Sequence, residues 1–283
     1  LIAWAVCILL VGLIAVGTVR VVSSVASSKK RQFRQDGIEK LVSGDYTGAI
    51  EAFDTALEKS GKKSDGFNSD VLGYRAEAEY KLRDYEAAVH TYGLLLEMKP
   101  DTAVYLYAQS MCYAHLGDTD NAIDRYHAGN AVQKEDKDEA GRQEALFAAG
   151  GACVDAGEYE KAMGLYQDAI REGVKHGQVY NQMGLCQMAE KDYQGALDSF
   201  NQGYETFVTG HSLGSGAEPA QAAAALNADA RADMALLKEL VYNRAVAYEY
   251  LSEYKKALGL FEDYVSVFGP NEDAEHEIAF LKT

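Results

Sequence analysis

The chain has 283 residues, 48% of them apolar, only three prolines, and a formal charge of −16 at pH 7. Such acidity excludes a general nucleic-acid binder, which needs a basic surface to neutralise phosphates, and at most favours basic partners. Scarce proline with abundant Ala, Leu, Glu and Lys predicts long uninterrupted helices.

Leu1 to Val19 is apolar apart from small Gly, Ala and Thr, and about 20 such residues cross a bilayer core as a helix. Residues 1–28 are expected to be one transmembrane helix, or a cleaved signal segment with Ser24-Val25-Ala26 as its small-residue site. The expected localisation is therefore single-pass membrane. The basic cluster Lys29, Lys30, Arg31 and Arg34 argues for a cytoplasmic remainder. The base rate for amino-terminal anchors leans to the extracytoplasmic side, on the expectation that a charged start precedes Leu1. The cysteines lean the other way, so the side stays open.

Beyond residue 30 one arrangement recurs six times. Its turn signatures are Gly44-Asp45-Tyr46, Arg83-Asp84-Tyr85, Gly117-Asp118-Thr119, Gly157-Glu158-Tyr159, Lys191-Asp192-Tyr193 and Ser252-Glu253-Tyr254. Gly157 can end a helix at positive φ, and the acidic residue after it suits the positive start of the next helix. At a fixed distance follow Ala49, Ala88, Ala122, Ala162, Ala196 and Ala257, then, four residues on, Phe53, Tyr92, Tyr126, Tyr166, Phe200 and Phe261. Three further come Ala56, Leu95, Gly129, Ala169, Gly203 and Tyr264, all on one helix face. Twelve positions before each alanine stands Gly37, Ala76, Ser110, Gly150, Gly184 or Ala245. Small residues let two helix backbones approach, and the ring fills the space beside them.

This pattern resembles the tetratricopeptide repeat, a 34-residue helix–turn–helix unit. The residues above occupy its small positions 8, 20 and 27 and its aromatic position 24. Pro100 alone supplies the position-32 proline, and Phe33, Leu72, Leu106, Leu146, Tyr180 and Val241 replace the position-4 tryptophan. The resemblance covers about residues 30–283. It implies an all-α fold, a right-handed α-solenoid of about six repeats, at 30–63, 69–102, 103–136, 143–176, 177–210 and 238–271. Tyr264 is large for position 27, so the sixth repeat is expected to pack differently there.

Successive alanines are 39, 34, 40, 34 and 61 residues apart, which locates insertions at Gly61–Asn68, Lys134–Gly141 and 209–237. In the last, Thr209 to Gly216 reads as flexible, and Pro219 can start a helix. Ala220 to Leu251 has no Gly or Pro, so either the next helix is extended backwards or an extra Ala-rich helix precedes it. Residues 271–282 read as a polar-backed helix with Ala274, Ile278 and Leu281 on one face, a cap for the array.

Catalytic signatures are missing. The six histidines have no partner at a motif spacing, and no P-loop, GxGxxG, HExxH or GxSxG is present. Glu135, Asp136, Asp138 and Glu139 lack the remaining ligands of a calcium loop. The four cysteines form no CxxC or zinc spacing and read as small buried hydrophobes. An enzyme, a cofactor, a metal and a small-molecule substrate are therefore not expected.

In the resembled family the first helices line a concave groove. Carried over, that places Tyr107, Met111, Phe147, Asn181, Leu185, Met188, Tyr242 and Val246 in it, suited to an extended or helical protein segment. Packing against neighbouring helices is the competing reading for several of them. A clamp for a terminal carboxylate is absent, because Arg34 is followed by Ile38, and repeat two offers Gly73 and Glu77. The expectation is a membrane-anchored interaction scaffold that binds a protein or peptide. Its rivals are a structural part of an envelope or secretion assembly, and a receptor or enzyme pocket near 209–237.

Overall fold

The computed structural model describes residues 28–60, 65–133, 141–174, 176–226 and 230–283, and every regular element among them is helical. Helix α1 spans 28–43. It is followed by α2 (Tyr46–Ser60), α3 (Asp65–Leu82), α4 (Tyr85–Met98), α5 (Ala103–His115), α6 (Thr119–Val132) and α7 (Arg142–Asp155). Then come α8 (Tyr159–Arg171), α9 (Gly177–Ala189), α10 (Tyr193–Gly210), α11 (Pro219–Ala225), α12 (Arg231–Tyr250), α13 (Tyr254–Phe268) and α14 (Glu272–Leu281). The described residues form two compact units, one ending at Ala149 and the other Gly150–Thr283, whose boundary falls inside α7.

The turns are built identically. Gly44, Arg83, Gly117, Gly157, Lys191 and Ser252 all have φ between 61° and 86°. The left-handed residue lets the next N–H reach back to a carbonyl of the last helical turn. Asp45, Asp84, Asp118, Glu158, Asp192 and Glu253 do so at 2.8 to 3.0 Å. The four aspartates also cap the following helix, accepting from the backbone of Gly48, Ala87, Asn121 and Gly195 at 3.0 to 3.2 Å. The longer Glu158 and Glu253 make no such cap bond.

In the first unit, α2 packs on α3, α3 on α4, α4 on α5 and α5 on α6. Phe53 is buried with Ala49, Ala56 and Val71, and Phe33, Ile38 and Leu41 of α1 lie against this cluster. Ser110 donates to the Ala122 carbonyl at 2.7 Å, which ties the small position of α5 to that of α6. Arg75 joins three helices. It donates to Asp54 at 2.7 Å, to Glu79 at 2.5 Å and to Thr91 at 2.5 Å.

In the second unit, α8 packs on α9, α9 on α10, α10 on α12, α12 on α13 and α13 on α14. Tyr166, Phe200 and Phe261 are fully buried. At the α9–α10 crossing a Cβ on Gly177 would lie 2.9 Å from the Gly203 carbonyl, so two glycines permit the approach. The insertion after α10 takes both expected forms at once. Pro219 opens the short α11, and α12 runs for 20 residues. Leu213, Ala217, Ala223 and Leu226 pack on a core of Tyr204, Phe207, Leu237 and Leu240. Tyr204 donates to the Ala217 carbonyl at 2.7 Å, and the Glu205 carboxylate accepts from Ser215 and Gly216. Tyr264, the oversized residue, sits edge-on to Tyr242 and Phe268.

Cys112, Cys153 and Cys186 are buried thiols. The expected single-pass membrane localisation is corrected: no described helix is long and apolar enough to cross a membrane. These helices carry a charged face, whereas a span needs about 20 predominantly apolar residues. Residues 1–27, on which the expected transmembrane helix rested, lie outside the described residues.

Candidate functional site

The eight residues expected in a groove divide between the units and between roles. In the first unit Tyr107 is buried, with Asn130 Oδ1 accepting its hydroxyl proton at 2.7 Å. Its ring occupies the space that a Cβ on Gly129 would fill. Met111 and Phe147 are half-buried.

In the second unit Asn181 is fully buried between α9 and α12. Its amide donates to Glu239 at 2.9 Å and accepts from Asn243 at 3.0 Å. Leu185 is exposed at 39%. Met188 packs on the cluster around Phe200 and Ala247. Tyr242 and Val246 pack on the cluster around Phe261, the Tyr242 ring edge-on at 5.5 Å. Packing thus engages Tyr107, Asn181, Met188, Tyr242 and Val246, while Leu185 faces solvent.

The open feature lies elsewhere, on α3 of the first unit. A cleft of about 350 Å³ runs over Gly66, Ser69, Asp70, Gly73 and Glu77, with Tyr74, Lys99 and Tyr105 at its sides. The helical repeat explains the row, since these five residues recur at three- and four-residue steps on one face. Two of them lack side chains, and a Cβ on Gly66 or Gly73 would meet nothing within 4 Å. That empty space makes the cleft. In the sequence Gly73 and Glu77 serve only to exclude a carboxylate clamp, whereas two glycines seven residues apart on one helix face are the signal for the cleft.

Charge around the cleft is ordered. Arg34 of α1 pairs with Asp70, and its guanidinium lies over the Tyr74 ring, 5.3 Å from the centroid. The bond to Asp70 holds the Arg34 guanidinium above its ordinary pKa. The side chains of Glu77 and Lys99 are exposed and make no ion pair or hydrogen bond with any described residue. Ser69 is 3% exposed, and its hydroxyl likewise has no partner among the described residues.

Behind this face sits Glu79, 2% exposed, with one carboxylate oxygen unsatisfied. Burial pushes its carboxyl up, against the opposing pull of Thr91 and Arg75. His115 stacks on Tyr85 with centroids 4.5 Å apart, and burial with the nearby Arg83 charge lowers its pKa. No group of three His, Cys, Asp or Glu among the described residues could hold a metal ion. The arrangement suits binding: an open polar cleft walled by rings, with no nucleophile–base pair in it.

Residues 37–89 and 74–129 match the tetratricopeptide repeat model. No curated protein matches the chain. Among solved structures the chain is similar to MamA protein, at 19% identity over 64% of this chain and 92% of that one, with a TM-score of 0.51. It is also similar to a tetratricopeptide repeat protein from Parabacteroides merdae, at 16% identity over 90% and 100% of the two chains, with a TM-score of 0.50. YrrB, a TPR protein with an unusual peptide-binding site, aligns at 18% identity over 80% and 97%, with a TM-score of 0.49. These likenesses bear on the fold alone: an all-helical, tetratricopeptide-like architecture.

Proposed function

We propose that this all-helical, tetratricopeptide-like chain is a protein-interaction scaffold that takes a peptide or partner helix along the exposed face of its first helices, without a covalent step. The observation that carries the reading is the cleft over Gly66 and Gly73, where a helix backbone lies open between the Tyr74 and Tyr105 rings. Rings beside open backbone offer a segment both apolar contact and polar anchoring. Of the eight residues taken as groove positions, Met111 and Phe147 in the first unit and Leu185 in the second remain open to a partner, each within its own unit. Tyr107, Asn181, Met188, Tyr242 and Val246 are engaged by packing. The rival pocket near 209–237 gains no support, because Leu213, Ala217, Ala222, Ala223 and Leu226 of that insertion pack on the core around Tyr204 and Leu237.

The test fills the cleft. Gly73→Trp puts a large ring into the cleft from a position where a Cβ meets nothing within 4 Å. Full-length protein is panned against a random 12-residue peptide display library, and bound peptides are counted for the wild type and the variant. Capture by the wild type and its loss in Gly73→Trp, at unchanged helix content, is the expected result. Capture that survives Gly73→Trp, or no capture by the wild type, overturns the reading.

A further inference from the structure

The cleft over α3 carries chemistry that narrows the partner. The protein already holds one guanidinium on this face, since Arg34 pairs with Asp70 and lies over the Tyr74 ring. A carboxylate one helical step from an aromatic ring is thus a working arginine seat, with charge pairing and cation–π attraction acting together. Further along the cleft Glu77 of α3 supplies a second carboxylate, with no ion pair to any described residue, and Tyr105 of α5 a second ring, one side of which meets the Tyr92 ring at 6.3 Å.

Gly73 lies between Asp70 and Glu77, one turn from each, so a side chain can descend to the helix backbone there. Ser69, a buried residue that also lines the cleft, adds a hydroxyl with no hydrogen-bond partner among the described residues. Lys99, unpaired on the side, would repel a second cation and accept a carboxylate. The protein as a whole, at −16, draws basic segments towards it.

We propose that the cleft of α3 is a seat for an arginine side chain of a partner peptide, held by Glu77 and the Tyr105 ring over Gly73, with an acidic side chain of the same peptide against Lys99. This rests on the scaffold reading and names the partner chemistry of its site. The glycines set how deep the side chain goes, Glu77 sets its sign, and Lys99 favours an acidic neighbour.

The experiment uses peptides selected on the full-length wild-type chain by the 12-residue display library. They are synthesised with a fluorophore and titrated by anisotropy against wild type, Glu77→Lys and Gly73→Trp. The expected peptides are enriched in arginine followed or preceded by an acidic residue. They bind Glu77→Lys about tenfold more weakly, and the peptide with that arginine changed to glutamate regains affinity for Glu77→Lys. Selected peptides without basic enrichment, or peptides weakened by Gly73→Trp but indifferent to Glu77→Lys, overturn the arginine seat and leave the scaffold reading standing. Failure to select any peptide overturns both. Because Glu77 is exposed and unpaired, its reversal leaves the fold intact, and circular dichroism of the variant verifies this.

Discussion

Replacing Gly184 with alanine tests the packing rule on which each repeat depends. A Cβ at this position of α9 would lie 2.6 Å from Phe200 Cδ1 and 2.8 Å from Cζ, with Cε1 closer still. Ordinary carbon contacts are about 3.5–4.0 Å, so the ring must retreat by roughly 1 Å. Phe200 is fully buried among Ala196, Leu197 and Ala247, so its retreat compresses α10 against α12. Overpacking of this kind costs about 1–3 kcal/mol, while alanine regains about 0.5–1 kcal/mol over glycine in a helix. The net cost is at most about 2.5 kcal/mol and about 1 kcal/mol at the middle of these ranges, the latter a roughly fivefold larger open population. Amide hydrogen exchange in α9 and α10 measures it locally, which matters because repeat arrays do not always unfold in one step. Adding Phe200→Leu should recover part of the loss, since two residues in contact do not act additively. Slower exchange in Gly184→Ala than in wild type would refute the wedge of ring against backbone.

Two further outcomes follow from the turns and from the buried acid. Arg83→Gly, Lys191→Gly and Ser252→Gly relieve the left-handed strain that Gly44, Gly117 and Gly157 avoid; each should raise stability by about 0.5–1 kcal/mol. Urea midpoints that fall in all three would contradict this. Glu79 has a folded pKa held above its ordinary 4.5 by burial, so its contribution is complete below that value and is lost as pH rises towards the folded pKa. Glu79→Gln should therefore gain stability relative to wild type as pH rises above about 4.5, the unfolded value, and parallel stability–pH curves would show that Glu79 does not titrate in that window.

The fold was legible because its signal is steric and repeated. A small residue, a second small residue twelve positions on and a ring four positions later permit few arrangements, and six copies in register leave little freedom. Arg83, Lys191 and Ser252 were legible too, since they align with glycines that must turn left-handed. The site was less so. Repeat positions say which way a side chain departs from its helix, not what it meets afterwards. Tyr107 departs towards a surface but finds a hole above Gly129, which the glycine in place of alanine foretold. Asn181 is covered by Glu239 and Asn243 from α12, and that pairing depends on how the long insertion brings α12 back. The cleft on α3 was hidden for another reason: it is made by side chains that are missing.

The buried thiols have a use of their own. Burial raises Cys112 to about 12 and Cys186 to about 11, so at neutral pH almost none of either is in the reactive thiolate form. An alkylating reagent therefore waits on structural opening. Cys112 belongs to one unit, Cys153 and Cys186 to the other. The native sequence thus contains its own pair of clocks, and peptide-resolved labelling would time the breathing of each half without adding a probe.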